Sequence, residues 1–174
     1  MDDRAIVAVQ IGRPPRSSVE VETRCHLGLP VVTRVPPILD DGTPFPTTHW
    51  LTCPLATLRI SRLEAAGGVK RADAAIDADP DLAAAYGEAM DRYRRDRDAM
   101  IPVDWLGPRP DGGVAGSLRG VKCLHAHYAD SAAGNDNPIG AATMAQIGDL
   151  DCAVPCVVEA EGVATANPQW AEPT

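Results

Sequence analysis

The chain has 174 residues, with 16 lysines and arginines against 24 aspartates and glutamates, a formal charge of −8. That length suits one domain, the 45% hydrophobic content argues against wholesale disorder, and no stretch reaches the ~20 apolar residues of a membrane span. An acidic chain also makes few of the phosphate contacts that supply most nucleic-acid affinity, so neither nucleic acid nor membrane insertion is expected.

The acidic start Met1-Asp2-Asp3-Arg4 and the short apolar run Ala5 to Val9 do not make a secretory leader. The expected compartment is therefore the cytoplasm, where five cysteines stay reduced. The N-terminal third reads as strands and loops. Val19 to Thr23 alternates apolar and polar residues, and Val31 to Val35 is rich in β-branched residues before Pro36-Pro37. Gly28 and Pro30 between them predict an antiparallel hairpin, and Thr48 to Thr52 a further short strand around Trp50.

Helices follow. Thr52 or Cys53 caps one with Pro54 in its first turn, and Gly67-Gly68 ends it. The spacing of Leu82, Tyr86, Ala89, Met90 and Tyr93, with Asp79 as cap and Pro80 at the first position, predicts a helix over 80–99. The arginines at 92, 94, 95 and 97 interleave with acids and read as a solvated face. A glycine-rich stretch, Asp111 to Gly120, precedes a helix over about 121–133, and Asn137-Pro138 opens a last one through Ile147. The expected architecture is α+β: a small N-terminal β-rich part, a hairpin plus a short strand, packed against three or four helices. Residues 1–158 form the expected single globular domain and 159–174 a disordered tail.

Chemistry concentrates in cysteines and histidines. All four histidines lie within four residues of Cys25, Cys53 or Cys123. Thiolate and imidazole are zinc ligands, and thiolates hold iron–sulfur clusters. None of these three cysteines sits in a tight C-x2-C pair; Cys152-x3-Cys156 is the one close pair. On a helix Cys123 and His127 share a face and His125 projects nearly opposite. Gly112, Gly113 and Gly116 with Ser117 and Arg119 form a candidate anion loop, although the stretch matches neither the P-loop nor the dinucleotide fingerprint. Arg13 and Arg16, stiffened by Pro14-Pro15, and Arg24 beside Cys25 add guanidinium forks suited to an anion.

Several motifs in order are similar to a bacterial family of unknown function, DUF501, common in actinobacteria. They are Gly12-Arg13-Pro14-Pro15-Arg16, Arg24-Cys25 with Gly28-Leu29-Pro30, and Asp41-Gly42-Thr43-Pro44-Phe45-Pro46-Thr47. The series continues with Trp50-Leu51-Thr52-Cys53-Pro54, Leu63-Glu64-Ala65, Val121-Lys122-Cys123-Leu124-His125-Ala126-His127 and Asn137-Pro138-Ile139-Gly140. The resemblance spans about residues 10–150 and includes all three cysteines. It implies a cytoplasmic bacterial protein, with genes often near those of a septum-formation initiator and an exopolyphosphatase-like enzyme, and it carries no reaction.

The reading that combines these signals brings Cys25, Cys53 and Cys123 together beside the glycine-rich loop. They bind zinc, with His127 as fourth ligand, or an iron–sulfur cluster. A small anionic substrate is held by Arg13, Arg16, Arg24, Gly113, Gly116, Ser117 and Arg119, with His125 as acid–base group. Two alternatives stand beside it. One is a non-catalytic accessory protein of cell division with structural cysteines and an unknown protein partner; the other is a metal-free enzyme with Cys123 as nucleophile.

Overall fold

A computed structural model describes residues 1–173. Helix α1 (Asp3–Ile11) is capped by Asp2, whose carboxylate accepts from the Ala5 amide, and closes at Gly12. Strands β1 (Glu20–Arg24) and β2 (Pro30–Arg34) form the expected antiparallel hairpin, with Gly28 at φ 78° in its turn. β3 (His49–Leu51) lies antiparallel on the other side of β2, giving the order β1-β2-β3.

Pro54 occupies the first turn of α2 (Pro54–Ala65). Gly67, at φ 85°, stops α2, and α3 (Gly68–Ala78) starts at once. A Cβ on Gly68 would meet the Leu63 carbonyl at 2.7 Å, so the two helices turn on glycine. Asp79 then caps α4 (Pro80–Ala99) through the Asp81 and Leu82 amides. A 3-10 turn at Val114–Gly116 leads to α5 (Leu124–Ala132) and α6 (Pro138–Ile147), the latter capped by Asn137. A two-stranded sheet, β4 (Val157–Ala160) with β5 (Val163–Ala166), completes the order.

The α+β class is the one expected, and the predicted hairpin, third strand and four helices are present. Three features differ. Residues 3–11, expected as a strand-and-loop lead, are helical because Asp2 and Gly12 bracket one amphipathic run with Ile6 and Val7 buried. Residues 68–78, left without structure, are helical because Val69, Ala72 and Ile76 recur along one side and pack on the main core. The stretch from Glu159 onward, expected as a disordered tail, carries the β4–β5 hairpin. Glu161 and Gly162 both take positive φ, the turn that matches strand twist. That hairpin packs on α1, buries Val157, and pairs Glu159 with the Met1 amino group.

Helix α5 lies at the centre, against α6, β3 and α2. Its buried residues join Val32, Leu55, Ile60 and Tyr93 in one core. Among the described residues no helix is long and apolar enough to cross a membrane.

Candidate functional site

Cys123 is the residue before the first turn of α5, and its backbone is extended (φ −159°, ψ 122°). Helical spacing therefore does not apply to it, and the expected pairing with His127 fails. His125, in the first turn, bends back instead and sets Nδ1 3.6 Å from Cys123 Sγ. Glu64, in the last turn of α2, brings Oε1 to 3.2 Å from the same Nδ1 and accepts from the Leu124 amide at 2.6 Å. Sγ, Nδ1 and a Glu64 carboxylate oxygen lie within 4.8 Å of one another, the one such trio of Cys, His, Asp or Glu among the described residues.

The other side of the His125 ring is also held. Nε2 is 3.2 Å from the Thr57 carbonyl and 3.2 Å from Ser61 Oγ. A carbonyl only accepts, so Nε2 carries a proton, while Nδ1 faces Cys123 and Glu64, donating toward them when the ring is charged and offering a lone pair when it is neutral. Burial works against a charged ring, but Cys123, then Glu64 and the Thr57 carbonyl, outweigh it and raise the His125 pKa to about 9.

Cys123 and His125 open onto a cavity of about 300 Å³. Its walls come largely from β3 (His49, Trp50, Leu51) with Ala115 and Ala126, and are mostly apolar. His49 is oriented from behind, its Nδ1 3.0 Å from Asp130 Oδ1. Asp130 is fully buried and also takes Arg92 at 2.5 Å, Asn137 at 2.9 Å and Asn135 at 3.1 Å.

The expected ligand set of Cys25, Cys53, Cys123 and His127 is not assembled. Cys25 and Cys53 line a different pocket, together with Cys152 and Cys156. His127 is fully buried, with Nδ1 3.1 Å from Asn137 Nδ2 and Nε2 without a hydrogen-bond partner. Burial lowers its pKa.

Of the expected anion-binding arginines, Arg13 and Arg16 line one pocket, which neither Arg24 nor Arg119 lines. Arg16 pairs with Asp41 at 2.6 Å, and Arg24 grips Asp3 at 2.7 and 2.9 Å. Arg13 stacks over Trp50, 5.8 Å from the ring centroid, and Arg119 is exposed. The amides of Gly112, Gly113 and Gly116 are spent within the stretch and do not cradle an anion. Gly113 N–H bonds to Ser117 O, Gly116 N–H to Gly113 O, and the buried Ser117 hydroxyl to the Arg119 and Gly120 carbonyls. Buried Arg97 fastens the loop from below through the Gly112 carbonyl at 2.6 Å.

Glu64 and Thr57 are the site residues that residue chemistry did not single out. Glu64 stood in the Leu63-Glu64-Ala65 motif, one helix away from the cysteines, and only the α2–α5 packing joins them.

A family model described as "Protein of unknown function (DUF501)" matches residues 21–145, which include all three members of the trio. No curated protein and no solved structure matches the chain.

Proposed function

The chain belongs to the DUF501 family, and from that premise we propose that it is a zinc protein, its metal held by Glu64, Cys123 and His125 beside the 300 Å³ cavity. The observation that carries this reading is the convergence of one sulfur, one nitrogen and one oxygen within 4.8 Å, with the opposite histidine nitrogen tied to a backbone carbonyl. Metal-bound histidines are oriented in that way. A mixed S, N, O set suits zinc, whereas an iron–sulfur cluster needs several thiolates and only Cys123 stands here.

Three protein ligands are the complement of a catalytic zinc, which keeps a position for water or substrate. Zinc so held supplies a Lewis acid and a water acidified toward neutral pH. Trp50, Leu51 and Ala126 would receive an apolar body, and no arginine lines the cavity. The substrate of this reading is a small molecule with one polar head and an apolar remainder, in place of the anion expected from sequence.

A second reading draws on the His125 pKa near 9 and on the position of Cys123 at a helix start. An imidazolium beside a thiolate makes a metal-free nucleophile, with His125 as its acid.

Metal analysis of the purified full chain separates the two. Zinc that is lost in Glu64→Gln and His125→Ala supports the metal reading. Without zinc, rapid alkylation of Cys123 alone near neutral pH, slowed in His125→Ala, supports the nucleophile. Neither result would leave an accessory protein of cell division, with cysteines that only pack.

A further inference from the structure

We propose that Cys25, Cys53, Cys152 and Cys156 form a second, structural zinc site with four thiolate ligands. Four of the five cysteines, from three separate stretches, line one small pocket of about 10 Å³. Cys25 follows β1 at the hairpin turn, Cys53 opens α2, and Cys152 and Cys156 lie in the segment joining α6 to β4. Such a pocket has room for a bare ion and none for a substrate, which is the condition of a closed structural site.

Two N–H donors reach the sulfurs between apolar walls that include Leu29, Leu55 and Leu150. Trp170 Nε1 donates to Cys152 Sγ at 3.4 Å and Gln10 Nε2 to Cys156 Sγ at 3.7 Å. N–H donors of this kind orient ligating groups and offset the excess negative charge of four thiolates around one dication. Burial pushes the Cys53 thiol up to about 11 against the amides of Ala56 and Leu55, and it raises Cys156 as well. A bound dication reverses that balance, because a coordinated thiol is deprotonated outright.

No three of these sulfurs lie within 4.8 Å of one another. Zinc, with Zn–S bonds of ~2.3 Å, would draw them inward. Cys25, Cys152 and Cys156 all sit outside helices and strands, where backbone adjusts at least cost. The alternative occupant of the pocket is nothing at all, the thiols being small buried hydrophobes.

The full chain loaded with Co²⁺ tests this through the thiolate-to-cobalt charge-transfer absorption. The wild type and the His125→Ala variant should share an intense band, of which the double variant Cys152→Ser/Cys156→Ser keeps at most the weaker contribution of Cys123. Zinc content should fall by about one ion per chain in the double variant. Absence of the band in wild type, or its loss in His125→Ala and survival in the double variant, overturns the proposal. The wild type alone gives an independent reading by mass-spectrometric thiol mapping. Cys25, Cys53, Cys152 and Cys156 should resist alkylation together and become reactive together on chelation. Indifference of all four to the chelator, or a Cys152–Cys156 disulfide in protein purified under reducing conditions, contradicts it. Failure at Glu64 leaves this band unchanged, so the two sites are judged separately.

Discussion

His125 Nε2 lies 3.2 Å from the Thr57 carbonyl of α2, so one helix sets the ring orientation of a residue on another. In chelator-stripped protein the His125 ring should titrate near 9, well above its ordinary 6.5, and Cys123→Ala should lower that value. Because the folded pKa is raised, this histidine contributes stability that is complete below about 6.5 and is lost as pH rises through about 9. Histidine NMR and urea midpoints across that window check both points; a His125→Gln variant should show a flatter alkaline limb. An unchanged limb would refute the linkage.

His127 should act in the opposite direction. Burial lowers its pKa, so the unfolded chain takes up a proton before the folded one does. Its contribution is present above about 6.5 and declines as pH falls below that value. Urea midpoints on the acid side should fall less steeply in His127→Gln than in wild type, relative to each protein's own neutral value.

Asp130 is the charge on which the centre of the molecule relies. Burial opposes its ionisation, but hydrogen bonds from His49, Asn137 and Arg92 win and hold the pKa below the usual carboxylate value. Asp130→Ala leaves Arg92 with only the longer Asp96 contact at 3.4 Å and takes from Asn137 and His49 their carboxylate acceptor. A loss of about 3–5 kcal/mol in denaturant unfolding is expected.

Two glycines in helices should respond with opposite signs to alanine. A Cβ on Gly140 would stand 2.1 Å from the His127 carbonyl and 2.6 Å from Ser131 Cβ, where α6 meets α5. Gly140→Ala should cost at least about 1–3 kcal/mol. Gly87 in α4 faces open space, and Gly87→Ala should add about 0.5–1 kcal/mol. Thermal unfolding of the two variants is sufficient to check this.

What could be read from the chain alone followed local chemistry. Asp79-Pro80 and Asn137-Pro138 open helices because the Asp79 and Asn137 side chains accept from first-turn amides and each proline carries no N–H to satisfy. Gly67-Gly68 ends α2 as expected, but only Gly67 takes the left-handed turn, and Gly68 already begins α3. At the trio, the expected helical pairing was Cys123 with His127, whereas the structure sets Cys123 beside His125. That choice assumed Cys123 inside a helix, and one extended residue is enough to exchange His127 for His125. Glu64 is 59 residues earlier than Cys123 and had no local sign of its role; long-range helix packing alone supplies it. The Cys152–Cys156 pair was visible as a pair, yet its neighbours Cys25 and Cys53 come near only through tertiary folding.

The pocket bounded by Gln10, Cys25, Cys53, Cys152, Cys156 and Trp170 has an implication for how the protein is made. Synthesis runs from the N-terminus, so its first wall is translated about 160 residues before its last, Trp170. Cys25 and Cys53 of a nascent chain therefore stay unshielded, open to oxidants and stray metals, until Cys152, Cys156 and Trp170 emerge and shut them in.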